Sequence, residues 1–225
     1  MSRTVTTVFF DVGNTLLFPD RKRILAPLHQ RQVSPTLAQW HAIERKTKKE
    51  FDAMVEGGNP DHGFWYLFYT HLLEELGIGD DGLRDALVEA TRISDNWGDI
   101  RPGTRAALER IGGRFQIGVI SNADGKIAAL LERDGIADCF RNITDSGLVG
   151  KEKPHPAIFA AALEAMRVRP EESLYVGDVY SVDYQGATRA GMQAMLFDVS
   201  GAYRDTDLPR VESLEGLEKE ISGWR

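Results

Sequence analysis

Four short polar segments hold the side chains of this 225-residue chain that could do chemistry. They are Phe9-Phe10-Asp11-Val12-Gly13-Asn14-Thr15-Leu16, Val119-Ile120-Ser121-Asn122, Gly150-Lys151-Glu152-Lys153-Pro154-His155-Pro156, and Tyr175-Val176-Gly177-Asp178-Val179-Tyr180-Ser181-Val182-Asp183. Each ends a strand or follows one closely. A carboxylate such as Asp11, held where a strand stops, can attack phosphorus in line and divide a hydrolysis into two easier steps through an aspartyl-phosphate. Asp178 and Asp183 offer the oxygen donors that a hard cation such as Mg²⁺ prefers. The Ser121 hydroxyl, helped by backbone N–H groups opening the next helix, suits the oxygens of a phosphate. Taken singly, each segment also has a plainer reading: a turn-forming Asp, a strand-ending Ser-Asn turn, a Gly-Asp turn.

The elements that would position these residues can be read from the apolar pattern. Val5 to Phe10, Phe115 to Ile120, Ser173 to Val176 and Gln193 to Phe197 are short, nearly continuous apolar runs, as strands of a parallel sheet covered on both faces require. Helical patterns over Gly125 to Arg133, Pro156 to Met166 and Val182 to Ala190 separate the last three. The alternation predicts an α/β fold with a doubly wound parallel sheet, and ligands of such sheets bind outside the carboxyl ends of the strands.

Between the first two strands the texture changes. From about Asp20 to Trp97 no strand-like run occurs. Ser34-Pro35 predicts a helix start with Ser as N-cap, followed by Leu37, Trp40, Phe51 and Met54 at helical spacing. A second helix is predicted from near Asp61, carrying Phe64, Leu67, Phe68, Leu72 and Leu76 and stopping at Gly77. A third starts near Asp80 with Leu83, Leu87, Ala90 and Ile93. Residues 19–97 therefore read as a helical cap inserted into a core made of 1–18 and 98–225. Arg21-Lys22-Arg23 reads as a solvated helix start.

Composition narrows the partners. A formal charge of −7 argues against nucleic acid, whose phosphates need a basic footprint. No apolar run reaches the ~20 residues of a membrane helix. Met1-Ser2-Arg3-Thr4 leads straight into the first strand, so no signal peptide is expected. The single cysteine, Cys139, permits neither an internal disulfide nor a thiolate metal cluster. A cytoplasmic protein acting on a small molecule is the expectation; oligomeric state is not legible.

In order and spacing, the four segments resemble the signature motifs of the haloacid dehalogenase-like hydrolase superfamily, and the intervening helices resemble its type 1 cap, found in phosphoglycolate phosphatase-like members. The resemblance covers nearly the whole chain. It implies a Rossmann-like core and a Mg²⁺-dependent hydrolase that removes phosphate from a small phosphorylated metabolite. Asp11 matches the nucleophile, Ser121 the phosphate-binding hydroxyl with Asn122 beside it, and Lys153 the lysine that bridges nucleophile and phosphate. Asp11, the backbone carbonyl of Gly13 and Asp178 match direct metal ligands; Asp183 matches a ligand acting through water or by orienting Lys153.

The sequence departs from the family at Gly13, where most of its phosphatases carry a second Asp that protonates the leaving alkoxide, a role worth ~10²–10⁴-fold. A reactive leaving group, a water relay, or a cap residue such as His41, His62 or His71 are the possible substitutes. Trp65 and Tyr66 could line a substrate pocket, although aromatic residues at helical spacing are more often core. Two other readings stay open. One is a metal-free 2-haloacid dehalogenase, against which Gly13 and Asp178 both speak. The other is a weakly catalytic or non-catalytic phosphometabolite-binding protein.

Overall fold

The computed structural model describes residues 5–58 and 63–224. Six parallel strands form one sheet in the order Asn142–Asp145, Gln116–Ser121, Thr7–Phe10, Ser173–Gly177, Gln193–Phe197, Arg210–Val211. The chain starts in the middle with Thr7–Phe10, builds outward on one side, then crosses over to build the other. The predicted α/β, Rossmann-like sheet is therefore present. Its switch point lies beside Thr7–Phe10, which pairs with Gln116–Ser121 on one edge and Ser173–Gly177 on the other.

Alternation along the strands separates two apolar layers. Val8, Phe10, Leu174 and Val176 join one cluster with Leu108, Ile111 and Leu131. Phe9 and Tyr175 point the other way, into a cluster with Ile158, Phe159 and Ala162 of the Pro156–Met166 helix. Two strands carried too little apolar signal to be predicted: Asn142–Asp145, with one aliphatic residue, and Arg210–Val211, with two residues.

The helices Leu37–Glu56, Phe64–Glu75 and Asp81–Arg92 pack round an apolar cluster of their own, including Trp40, Ile43, Phe68, Leu72, Leu83 and Leu87. The first begins later than Ser34-Pro35 suggested. Thr36 is its N-cap, accepting from Gln39 N at 3.2 Å while Gln39 Oε1 accepts from Thr36 N at 3.0 Å, and this reciprocal capping box sets the boundary. The residues near Asp61 named as a helix start, His62 among them, lie outside the described residues, as do Met1 to Thr4. Before and after these helices, Phe18–Pro19 and Trp97–Asp99 pair antiparallel, so the two connections run side by side as a short ribbon. No helix among the described residues is long and apolar enough to cross a membrane.

The helix predicted over Val182 to Ala190 is split into a widened turn, Tyr180–Tyr184, and a regular helix, Gln185–Arg189. The cause is local. Asp183 folds back so that its Oδ2 accepts from Val179 N at 2.9 Å, and its Cγ then lies 2.5 Å from where a Cβ on residue 177 would stand. Only glycine fits at 177.

Candidate active site

Asp11 leaves the end of the central strand with its N–H donating to Val176 O at 2.8 Å, which fixes the residue between two strand ends. Its carboxylate meets Lys153, whose buried ammonium donates to Asp11 Oδ1 at 2.6 Å, Asp183 Oδ1 at 2.8 Å and Tyr175 Oη at 2.7 Å. Asn122 explains why Lys153 sits there. Its Oδ1 accepts from Lys153 N at 2.7 Å and its Nδ2 donates to Lys153 O at 3.0 Å, a two-way clamp on that backbone. The Asn122 amide is thus turned to Lys153 rather than left free for a ligand. Ser121 is buried at the end of its strand, and Lys151 is exposed.

A second ammonium comes from the helical segment. Lys48 Nζ lies 3.0 Å from Asp178 Oδ2 and 2.9 Å from Glu44 Oε1, one helical turn back. The same helix is anchored by Asp52, which accepts from Ser181 N at 2.9 Å and from Tyr203 Oη at 2.8 Å. Among the described residues, Lys48 and Lys153 are the only lysines or arginines buried as whole residues. They meet different carboxylates: Lys153 reaches Asp11 and Asp183, Lys48 reaches Asp178 and Glu44.

Ligand atoms of Asp11, Asp178 and Asp183 lie within 4.8 Å of one another, and all three residues are buried. With Glu44 they make four carboxylates against two ammoniums, leaving two negative charges, the charge of one divalent cation. Buried Asp178 Oδ2 faces the Lys48 ammonium at 3.0 Å. An all-oxygen, doubly negative set fits a hard divalent cation. Without one, the cost of burying charge shows in the acidities. Burial raises the Asp11 carboxyl to about 7 against the opposing pull of Lys153, with Asp183 and Asp178 adding to the rise. Burial likewise raises Asp178 to about 6, with Lys48 opposing. Burial would lower both lysines, but their carboxylate neighbours more than offset it and hold each ammonium above its ordinary range.

Gly13 lies two residues beyond Asp11. A Cβ there would stand 3.3 Å from Trp97 Cζ3, so the indole already fills the space next to it. Trp97 is held by its Nε1–H, which donates to Thr91 O at 2.7 Å, and by Trp65, 5.7 Å away between ring centroids. Among the described residues, no contact joins His41 or His71 to this centre. His71 pairs Nε2 with Glu50 Oε2 at 2.8 Å inside the helical segment, and His41 is partly buried, its pKa lowered by that burial. Trp65 belongs to the aromatic cluster with Trp40, Phe64, Phe68 and Tyr69. Tyr66 lies under the Arg84 guanidinium.

Three contributors had not been expected. Tyr175 sits inside an apolar strand, yet its Oη contacts Lys153, Asp183 Oδ1 at 3.0 Å and Ile120 O at 3.2 Å. Lys48 and Glu44 lie in the charged run Glu44-Arg45-Lys46-Thr47-Lys48-Lys49-Glu50, which reads as a solvated face. An i, i+4 Glu–Lys pair was the one available signal, and such pairs are common on surfaces.

Residues 5–191 match the profile of the haloacid dehalogenase-like hydrolases. A protein of Methanopyrus kandleri named glyceraldehyde 3-phosphate phosphatase is 42% identical over 213 residues, covering 90% of this chain and 88% of that protein. The bovine haloacid dehalogenase-like hydrolase domain-containing protein 3 is 28% identical over 144 residues; the match covers 62% of this chain and spans 57% of the bovine protein's length. Among solved structures, the HAD-hydrolase YfnB from Bacillus subtilis, bound to magnesium and described as revealing interdomain movement, superposes with a TM-score of 0.67 at 18% identity over 96% of this chain and 98% of that one. A 2-haloacid dehalogenase from Pseudomonas syringae superposes with a TM-score of 0.59 at 24% identity over 98% of this chain and 100% of that one. Both share the fold.

Proposed function

The chain belongs to the haloacid dehalogenase-like hydrolase family, and from that premise we propose that this hydrolase is a Mg²⁺-dependent phosphatase of small phosphorylated metabolites, with Asp11 as its nucleophile. The observation that carries the reading is Lys153, which touches Asp11 and Asp183 while Asp178 stands in the same carboxylate group. A dehalogenase acting on a carboxylate substrate has no use for that concentration of negative charge. The relatives named for glyceraldehyde 3-phosphate make a triose phosphate the first substrate to try.

Residues 19–97 act as the cap. The Asp11 carboxylate attacks phosphorus, the ester P–O bond breaks toward the leaving oxygen, and water then hydrolyses the aspartyl-phosphate. Lys153 holds Asp11 in place and neutralises equatorial oxygens of the transferring group, the task that dominates phosphoryl transfer. Asp183 and Tyr175 keep Lys153 pointed at Asp11. Ser121 donates its hydroxyl to the phosphate, and Asn122 fixes the Lys153 backbone. Asp11, Asp178 and the Gly13 carbonyl would hold Mg²⁺, with Asp183 behind them, and the bound ion supplies charge neutralisation to the phosphate. The cap covers the site, excludes bulk water and selects the leaving group.

A metabolite phosphate panel run with Mg²⁺, with EDTA and with Asp11→Asn tests this. Turnover that needs both Mg²⁺ and the Asp11 carboxylate is expected. Release of halide from 2-chloropropionate in EDTA would replace the reading with dehalogenase chemistry.

The raised acidities add a prediction about stability. Carboxyls whose folded pKa exceeds the unfolded value favour the fold fully below about pH 4, and that contribution is lost as pH rises through about 6 to 7. The metal-free protein should lose stability over that window, and Mg²⁺ should restore it. The gain in Tm on adding Mg²⁺ is expected to be small at pH 5 and large at pH 8, as read by thermal unfolding with and without EDTA. A gain independent of pH would contradict it.

A further inference from the structure

Lys48 is fully buried on a helix of the cap, and both its carboxylate neighbours lie within ion-pair distance. An ammonium carries three N–H donors, and among the described residues Lys48 Nζ has only these two carboxylates, at 3.0 and 2.9 Å. One N–H is therefore left for a partner other than Asp178 and Glu44. The seam around it is polar, with the buried hydroxyl of Thr47 on the same helix lacking a partner and the buried Ser181 on the facing turn. The Ser181 turn is held against this helix by Asp52. A buried polar group without a partner is costly, so a seam of this kind suits a polar ligand.

Geometry of the reaction supplies the missing partner. In an in-line displacement the leaving oxygen departs on the side of phosphorus opposite the attacking one. The attacking oxygen belongs to Asp11 at the strand end, so the leaving oxygen faces the cap. On that side Gly13 offers no side chain, Trp97 fills the adjoining space, and His71 is engaged with Glu50.

Resting on the phosphatase reading above, we propose that Lys48 is a catalytic residue: its cap-borne ammonium donates a hydrogen bond to the leaving-group oxygen of the substrate and stabilises the charge that develops there. As the Asp11 oxygen bonds to phosphorus, the ester P–O bond breaks and its electron pair goes to the leaving oxygen. Lys48 keeps its own proton, and the alkoxide takes one from water. A fixed cation of this kind serves substrates whose leaving group is a poor one, an aliphatic alcohol, far more than those with a good one. The substrate class is then an alkyl phosphate, consistent with a sugar- or triose-sized ester and opposed to an acyl phosphate.

The test is Lys48→Met, made also in a Glu44→Gln background so that Glu44 is not left buried and unpaired. Turnover is measured on phosphate monoesters of graded leaving-group pKa with Mg²⁺, and Lys48→Arg serves as the conservative control. Loss of one such donor is expected to lower kcat about 10²-fold on alkyl phosphates and less than about tenfold on 4-nitrophenyl phosphate. The dependence on leaving-group pKa should steepen, and Lys48→Arg should restore much of it. Binding of orthovanadate, which places an oxygen where the leaving group departs, should weaken at least tenfold without any turnover being measured. Mn²⁺ affinity, read by electron paramagnetic resonance, should be unchanged or tighter once the nearby positive charge is gone. Equal losses on alkyl and aryl esters, unchanged vanadate affinity, or weakened Mn²⁺ binding would each overturn the assignment. A wild-type protein inert on every ester and blind to vanadate would instead remove the phosphatase reading, and this assignment with it.

Discussion

Asp11→Asn is expected to abolish turnover, by a factor on the order of 10⁴–10⁶, the scale on which removal of a covalent nucleophile acts. The substitution is nearly isosteric, so Lys153 keeps Asp183 and Tyr175 as partners. It also neutralises one of three buried carboxylates that repel each other. The variant should therefore be dead but no less stable, with a Tm in EDTA at pH 8 equal to or above that of the parent. Activity and thermal unfolding measured on one preparation check both halves. Loss of activity accompanied by loss of the fold would leave a structural role for Asp11, and turnover within tenfold of the parent would end its role as nucleophile.

Lys153→Met should have the opposite effect on stability. It strips the cation from Asp11 and Asp183 in a buried setting. Removing one partner of a buried pair costs about 3–5 kcal/mol because the other charge is left uncompensated. Here two carboxylates are left. Turnover should fall on the order of 10³-fold, the upper range for loss of one charged donor. The stability loss carries its own signature: Asp11 and Asp178 already titrate near 7 and 6, and without Lys153 protons must take over more of the neutralising. Urea unfolding in EDTA should show a large loss at pH 8 that shrinks toward pH 5. A loss of equal size at both pH values would mean that Lys153 supports the fold by packing rather than by charge.

The difference between what the sequence revealed and what it concealed has a physical basis. Asp11, Ser121 and Asp178 stand out because each closes or follows a strand-sized apolar run, and the sheet has to bring strand ends together at its switch point. Lys153 and Asp183 were legible only through the resemblance of their segments to the family's motifs. Tyr175 stayed hidden because an aromatic residue in Ser-Leu-Tyr-Val looks like ordinary strand interior, and nothing local shows that a hydroxyl will emerge beside a lysine. Lys48 stayed hidden for the reverse reason. A helix stripe rich in Glu and Lys looks the same whether water or a polar pocket covers it, and only the docking of that helix by Asp52 decides which. Asn142–Asp145 escaped because pairing with an established neighbour, rather than its own apolar content, makes it a strand. The same limit applied to Phe18–Pro19 and Trp97–Asp99, whose ribbon depends on two segments about eighty positions apart.

The indole beside Gly13 has a consequence for how chemistry could be altered in this scaffold. Restoring a carboxylate at position 13 requires room that Trp97 occupies, and Trp97 is tied at once to Thr91, to Trp65 and to the ribbon joining the two parts of the chain. The two positions are consequently linked, because a side chain at 13 asks the Trp97 ring, 3.3 Å from where its Cβ would stand, to give by a few tenths of an ångström. A library intended to diversify this enzyme at position 13 gains by varying position 97 with it, so that the ring and the new acid can settle together.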